Sequence, residues 1–199
     1  VWDCCAAPGG KTLILARRLA SAAVVATDVS AKRLARTEAR LRRFAYADRV
    51  VCAVADATAA RSVDGTFDLI LCDVPCSGTG TLAGNPEIRH RLKVEEFARQ
   101  AERQRAILKG ALDRLAPGGR LVYSTCSLEP EECERVVDAV VSELRLRKVP
   151  VEGAMAELAE QGVLLAGVKL ETAVREGALR TLPGVHGCDG FFAVVLERS

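Results

Sequence analysis

The sequence predicts an α/β domain built on a mostly parallel sheet with helices on both faces. Two observations predict it. The first two-thirds of the 199 residues alternate short apolar runs with longer amphipathic ones, the pattern of successive strand–helix units. The apolar runs are rich in Val, Ile and Leu without polar alternation, as in strands buried on both faces.

Taken in order, residues 1–4 read as a strand and 11–20 as a helix. Residues 24–27 read as a strand, and 31–45 as a helix with Leu34, Leu41 and Phe44 on one face. Residues 50–54 and 67–72 are strands. Residues 94–115 form a long helix ended by Pro117-Gly118-Gly119, and 120–123 a strand. Residues 130–147 form a helix with Pro130 in its first turn, where a missing N–H costs nothing. Residues 158–170 are apolar and broken by glycines, so their class is ambiguous. Residues 191–196 form a final strand. With no internal repeat and no low-complexity linker, one domain over 1–199 is the economical reading.

Composition narrows the class. Hydrophobic residues at 49% supply a sizeable core, and 28 basic against 26 acidic residues exclude both a polybasic tail and an acidic solvating segment. A local basic face remains compatible with that balance. The eight cysteines contain no C-x-x-C pair and have only two histidines beside them, which gives little support for a metal site. Cys52 and Cys72 lie in apolar runs and read as small core residues of a reducing, cytoplasmic compartment. No run approaches the ~18 apolar residues of a membrane span and no signal peptide opens the chain, so no membrane partner is expected. The chain begins inside an apolar segment and reads as a piece of a longer polypeptide.

In a parallel sheet of this type ligands bind beyond the carboxyl ends of the strands, and four segments there are unusual. Cys5-Ala6-Ala7-Pro8-Gly9-Gly10-Lys11-Thr12 follows a strand and opens a helix. Small residues let a ligand approach the backbone, and helix N–H groups point at it. A phosphate-binding P-loop is disfavoured, because its first glycine falls on Cys5 and Pro8 removes a donor. Asp28 ends the next strand, eighteen residues beyond Gly10, where an acid accepts from ribose hydroxyls. Asp56 ends the third strand similarly. Either acid alone is an ordinary cap or turn residue; in register they suggest an adenosine-type ligand. The third and fourth segments, Asp73-Val74-Pro75-Cys76-Ser77-Gly78-Thr79-Gly80 and Tyr123-Ser124-Thr125-Cys126-Ser127, each carry a cysteine outside any apolar run. Reactive thiols occupy such polar settings. The pair is open to three readings: a redox couple, covalent catalysis, or coincidence.

These motifs, with Asn85-Pro86-Glu87-Ile88-Arg89, Pro130-Glu131-Glu132 and His186-Gly187-Cys188-Asp189-Gly190-Phe191-Phe192, resemble the RNA 5-methylcytosine methyltransferases of the RsmB/Nop2/Sun family. The resemblance runs from Cys4 to Phe192. It implies a Rossmann-like class I methyltransferase fold with a seven-stranded sheet, S-adenosylmethionine as cofactor and RNA as partner, ribosomal RNA before tRNA. It implies that Cys5, Ala6, Ala7, Pro8, Gly9, Gly10 and Lys11 hold the methionine portion, Asp28 the ribose and Asp56 the adenine side. Asp73 stands at the cofactor–cytosine junction. Cys126 is the implied nucleophile and Cys76 assists release.

Chemistry explains why two thiols are useful. Carbon 5 of cytosine is too weak a nucleophile to take a methyl group unaided. Addition of a thiolate at carbon 6 turns the ring into an enamine that can. Asp73 is the candidate to assist at ring nitrogen 3. The rival assignment makes Cys76 the nucleophile, as in the Pro-Cys motif of DNA cytosine-5 methyltransferases. The Thr125-Cys126 motif favours Cys126. Lys11 and the dipole of the helix near Pro130 are candidate activators of its thiol, with Glu131 and Glu132 opposing.

The chain departs from the family at Val74, at Cys133 in place of an amide, at His90 in place of an aromatic, and in lacking the upstream RNA-binding portion. RNA contact is then expected from the stripe Arg33, Arg36, Arg40 and Arg43, which reads first as a solvated face, and from Arg89, Arg91 and Lys93 beside the fourth strand. A monomer is expected. The alternative to an enzyme is a cofactor-binding RNA assembly module.

Overall fold

The structure is a computed structural model that describes residues 1–59, 62–164 and 170–198. Two compact units emerge, one of residues 1–74 and 106–122, the other of residues 75–105 and 123–199.

The first unit contains β1 (Trp2–Asp3), α1 (Gly10–Arg18), β2 (Val24–Asp28), α2 (Ala31–Leu41), β3 (Val50–Val54) and β4 (Phe67–Asp73). Its strands run in the order β3-β2-β1-β4, with β1 parallel to both β2 and β4. Short β1 is central because Trp2 and Asp3, each 1% exposed, lie in register between Val25 and Ile70 on one level and Ala26 and Leu71 on the next. Trp2 donates its indole N–H to Thr27 Oγ1 at 2.9 Å, so the largest core side chain is also satisfied. The Cys4 and Cys72 sulfurs meet at 3.3 Å in the same core, as expected for Cys72.

The second unit begins with α3 (Ile88–Arg91) and the first part of α4 (Val94–Leu112), whose remainder belongs to the first unit. The next strand, β5 (Leu115–Thr125), likewise passes from one unit into the other. Then come α5 (Glu134–Leu144), β6 (Leu146–Val149), α6 (Glu152–Glu160), α7 (Leu170–Ala173), β7 (Val174–Arg175), β8 (Ala178–Thr181) and β9 (Phe191–Arg198). Within the second unit β8 is antiparallel to β7 and to β9, and β6 is antiparallel to β9. Two short pieces, β6 and β7, take the strands beyond the expected seven. β7 and β8 form a hairpin whose turn residues Glu176 and Gly177 both have positive φ, matching the twist of a two-residue turn.

Several expected elements differ. The helix from Ala31 ends at Leu41 instead of continuing to residue 45. Beyond it Arg43 N–H bonds Arg40 O, one residue closer than in an α-helix, so Phe44 leaves the buried face and stacks on Tyr46. α4 ends at Leu112, and Pro117-Gly118-Gly119 lies within β5 instead of capping the helix. β3 is not buried on both faces. It is the last strand on its side, so Val51 and Val54 are exposed and Cys52 is only half-buried. α5 starts at Glu134 because residues 130–133 form a turn, with Cys133 N–H on Pro130 O. The ambiguous segment 158–170 opens with the end of α6, and residues 165–169 fall outside the described residues. No helix of the described residues is long and apolar enough to cross a membrane.

Candidate active site

In the first unit, the end of β1 passes directly into the small-residue loop. Ala6 N–H bonds Thr27 O at 2.8 Å, extending the β1–β2 pairing past the last ladder residue. The chain then turns at Gly9, whose φ of 91° is left-handed, a conformation that costs glycine little. A Cβ there would also stand 2.7 Å from Thr37 Cγ2. α1 starts at Gly10 with its N-terminus at the loop.

The loop frames a cavity of about 190 Å3 lined by Asp3, Cys5, Ala6, Pro8, Lys11 and Asp73, with Ala7 and Gly10. Seven of the predicted cofactor residues thus line one space, while Gly9 shapes the turn beside it. Lys11 Nζ lies 2.7 Å from Asp73 Oδ2, so the ammonium expected to activate a cysteine is engaged with this carboxylate. Asp3 is the residue that motif matching misses. Its Oδ2 accepts from Thr12 Oγ1 at 2.6 Å. Its Oδ1 is buried and has no hydrogen-bond partner among the described residues. Burial above all pushes the Asp3 carboxyl up to about 6, against the Thr12 bond, which lowers it.

Asp28 and Asp56 do not line this cavity. Asp28 is buried, and its Oδ1 accepts from Ser30 N–H and Arg33 Nη2, both at 2.8 Å. Asp56 is exposed, and its Oδ1 accepts from Thr58 N–H and Oγ1 at 2.9 and 2.8 Å. Each makes the contacts of an ordinary cap or turn residue. Of the α2 arginines, Arg33 is held by Asp28, and Arg40 Nη1 reaches Pro8 O at 3.5 Å within the glycine loop.

In the second unit, Cys76 and Cys126 meet with their sulfurs 3.4 Å apart, fifty residues apart in sequence. Both are partly exposed, and neither is in a disulfide. The bond to Cys126 first, then burial, then the charge of Cys126 and after it that of Glu132 hold the Cys76 thiol far above its ordinary value. The backbone keeps the two loops together: Gly80 N–H bonds Cys126 O at 2.9 Å, and Gly190 N–H bonds Gly80 O at 2.8 Å. A Cβ on Gly80 would fall 2.4 Å from Gly190 O and 2.8 Å from Cys126 O, so only glycine permits this approach.

A cavity of about 280 Å3 opens beside Cys76, lined by Ser77, Ile88, Arg91, Leu92, Glu96 and Gln100. Arg91 therefore reaches the cysteine's surroundings, in keeping with its position after the fourth strand. His90 is exposed and accepts from Arg89 Nε at 3.2 Å. Glu131 and Glu132, expected to act together against the helix dipole, instead separate. Glu131 pairs with Arg135 on the surface, whereas Glu132 is fully buried among Ser77, Gln104 and Ser127. Cys133, where the family has an amide, still makes local contacts. Its sulfur lies 3.4 Å from Ser127 O and 3.6 Å from Thr125 Oγ1, and burial raises its thiol to about 11.

A parallel α/β sheet with a glycine-turned loop after its central strand defines the class of nucleotide-cofactor enzymes; the thiol pair narrows it. The family described as 16S rRNA methyltransferase RsmB/F matches residues 1–197, and the chain belongs to it. The chain is 35% identical over its whole length to the ribosomal RNA small subunit methyltransferase B of Vibrio cholerae, and spans 41% of that relative. It is 32% identical to the human 28S rRNA (cytosine(4447)-C(5))-methyltransferase, covering 24% of it. Among solved structures, NSun6 from Pyrococcus horikoshii with SFG superposes with a TM-score of 0.80 at 28% identity, over 99% of this chain and 47% of that one. The chain thus spans less than half the length of these relatives, and its fold is that of the class I methyltransferases.

Proposed function

We propose that this chain carries the catalytic part of an S-adenosylmethionine-dependent methyltransferase that modifies carbon 5 of a cytosine in ribosomal RNA. The observation that carries the reading is the 3.4 Å contact between Cys76 and Cys126. Two thiols in contact, both partly exposed, suit addition to a pyrimidine ring by one and assistance to release by the other.

The residues present fit the cofactor. Asp3, whose buried Oδ1 has no hydrogen-bond partner among the described residues, lines the same cavity as Lys11. An amino-acid group presents an ammonium and a carboxylate, and these two side chains match them in sign. Asp28 and Asp56 would take the ribose and adenine sides. When bound, S-adenosylmethionine supplies an electrophilic methyl group.

The chain's own residues supply the rest. Cys126, as thiolate, bonds carbon 6 of the cytosine, and the ring's electrons shift so that carbon 5 becomes nucleophilic. Asp73, at the end of β4, assists at ring nitrogen 3. After methylation the carbon 5 proton is removed and its electrons expel Cys126 as thiolate. Cys76, protonated against the Cys126 sulfur, relays that proton: it passes its own to the departing Cys126 thiolate and takes the one from carbon 5. Cytosine exposes carbon 6 only when unstacked, so the substrate base is flipped or lies in a loop. Arg91, which lines the Cys76 cavity and lies 3.6 Å from Glu87, would exchange that surface pairing for a phosphate. Free thiols of this kind persist in a reducing cytoplasm.

The test is covalent capture. Cys126→Ala abolishes the denaturant-stable protein–RNA adduct, and Cys76→Ala accumulates it, as seen on denaturing gels with labelled RNA. An adduct that survives Cys126→Ala transfers the nucleophile's role to Cys76.

A further inference from the structure

We propose that Glu132 is the positioning residue of the two-cysteine chemistry: its buried carboxylate fastens the Cys76 loop to the Cys126 loop and so sets the two thiols in contact. The consequence for catalysis rests on the methyltransferase reading; the geometry does not.

Glu132 Oε1 accepts from Ser77 N–H at 2.9 Å and from Gln104 Nε2 at 3.0 Å. Oε2 accepts from Ser127 Oγ at 2.6 Å and from Ser77 Oγ. Ser77 follows Cys76 and Ser127 follows Cys126, so one carboxylate bonds the immediate neighbour of each thiol. Gln104 Nε2 also donates to Pro75 O at 3.0 Å, the residue before Cys76. Tyr123 Oη donates to Glu132 O at 2.7 Å, holding the glutamate's own backbone. An ionised carboxylate offers about four acceptor sites, and these donors fill them. That is the condition under which a charge is tolerated in an interior. Dismantling such a network is costly, so the loops it ties have little freedom to separate.

The carboxylate has a second effect. Its charge adds to the Cys126 contact and to burial in keeping the proton on Cys76. Cys76 then does not compete for carbon 6 while Cys126 attacks. The other charged groups lining the Cys76 cavity are Arg91 and Glu96, and every variant in the test leaves both in place.

The experiment alkylates the chain with iodoacetamide across a pH series and follows Cys76 and Cys126 separately by mass spectrometry. Glu132→Gln removes the charge and puts a donor where Ser77 and Ser127 need an acceptor. Ser77→Ala and Ser127→Ala each remove one hydroxyl bond to the carboxylate, Ser127→Ala also removes the acceptor of Glu129 N–H, and the Ser77 N–H bond to Glu132 stays in both, so these variants keep the fold. In all three the Cys76 alkylation midpoint falls, and its labelling near neutral pH rises several-fold. In RNA methylation kcat falls several-fold with KM for RNA and cofactor unchanged. A Cys76 midpoint that stays at the wild-type value in both serine variants overturns the proposal. A midpoint that shifts in a chain that never methylates RNA supports the positioning role and removes the methyltransferase reading.

Discussion

Asp3 shows how a single buried acid is set against stability. Its folded-state carboxyl sits at about 6, against an ordinary 3.8, and burial is the leading cause. The native state therefore binds this proton more tightly than the unfolded chain. The stabilising contribution is present below about 3.8 and is lost as pH rises through about 6. Asp3→Asn keeps an acceptor for Thr12 and removes the charge. The variant is expected to be more stable than wild type near neutral pH by on the order of 2 kcal/mol, with the difference vanishing below the ordinary carboxylate value. Urea unfolding across that range checks it. The same variant binds S-adenosylmethionine more weakly, a trade of stability against function. A neutral-pH urea midpoint below wild type contradicts this role for Asp3. The cysteines divide at this scale as well. Cys4 and Cys72 touch in a core, Cys133 bonds locally, and Cys76 and Cys126 are the partly exposed pair.

Among the elements, the loops after β4 and β5 matter most, and backbone contacts hold them. Gly80 has its amide on Cys126 and its carbonyl on Gly190. An alanine there meets backbone oxygens that cannot move aside singly. Gly80→Ala is expected to cost about 2 kcal/mol or more, read as a lowered denaturation midpoint, and to move the Cys76 and Cys126 sulfurs apart. An unchanged midpoint means that the loops are held less tightly than these bonds imply. The elements also show where periodicity succeeds. The buried positions Ala101, Gln104, Leu108 and Ala111 of α4 follow helical spacing, and residues 191–196 of β9 carry alternating burial. The pattern in β3 resembles that of β2, yet β3 is an edge. An apolar run announces a strand, not how many neighbours it has.

Across the whole molecule, the glycine loop proposed for the cofactor belongs to one unit and the thiol pair to the other. Binding and covalent chemistry are then separable. Cys76→Ala and Cys126→Ala bind S-adenosylmethionine with wild-type affinity by calorimetry. At a ligand concentration about 100 times Kd, each gains roughly 2.7 kcal/mol of stability, as wild type does. Hydrogen exchange on cofactor binding slows most at residues 5–11. A cysteine variant that loses cofactor affinity joins the two functions and contradicts this division.

The order of strands and helices, the glycine loop and the two cysteines outside apolar runs, Cys76 and Cys126, are legible along the chain. Each depends on residue type, spacing and local backbone preference, which exist before folding. The unexpected features arise where distant segments meet. Glu131 and Glu132 are identical neighbours, yet one pairs with Arg135 in solvent and the other is buried under Ser77, Ser127 and Gln104. Asp3 acquires an unpartnered oxygen only because β2 and β4 close on either side of it. Burial, desolvation and the filling of a carboxylate's acceptor sites are properties of neighbours. No local pattern contains them until the sheet has brought those neighbours into place.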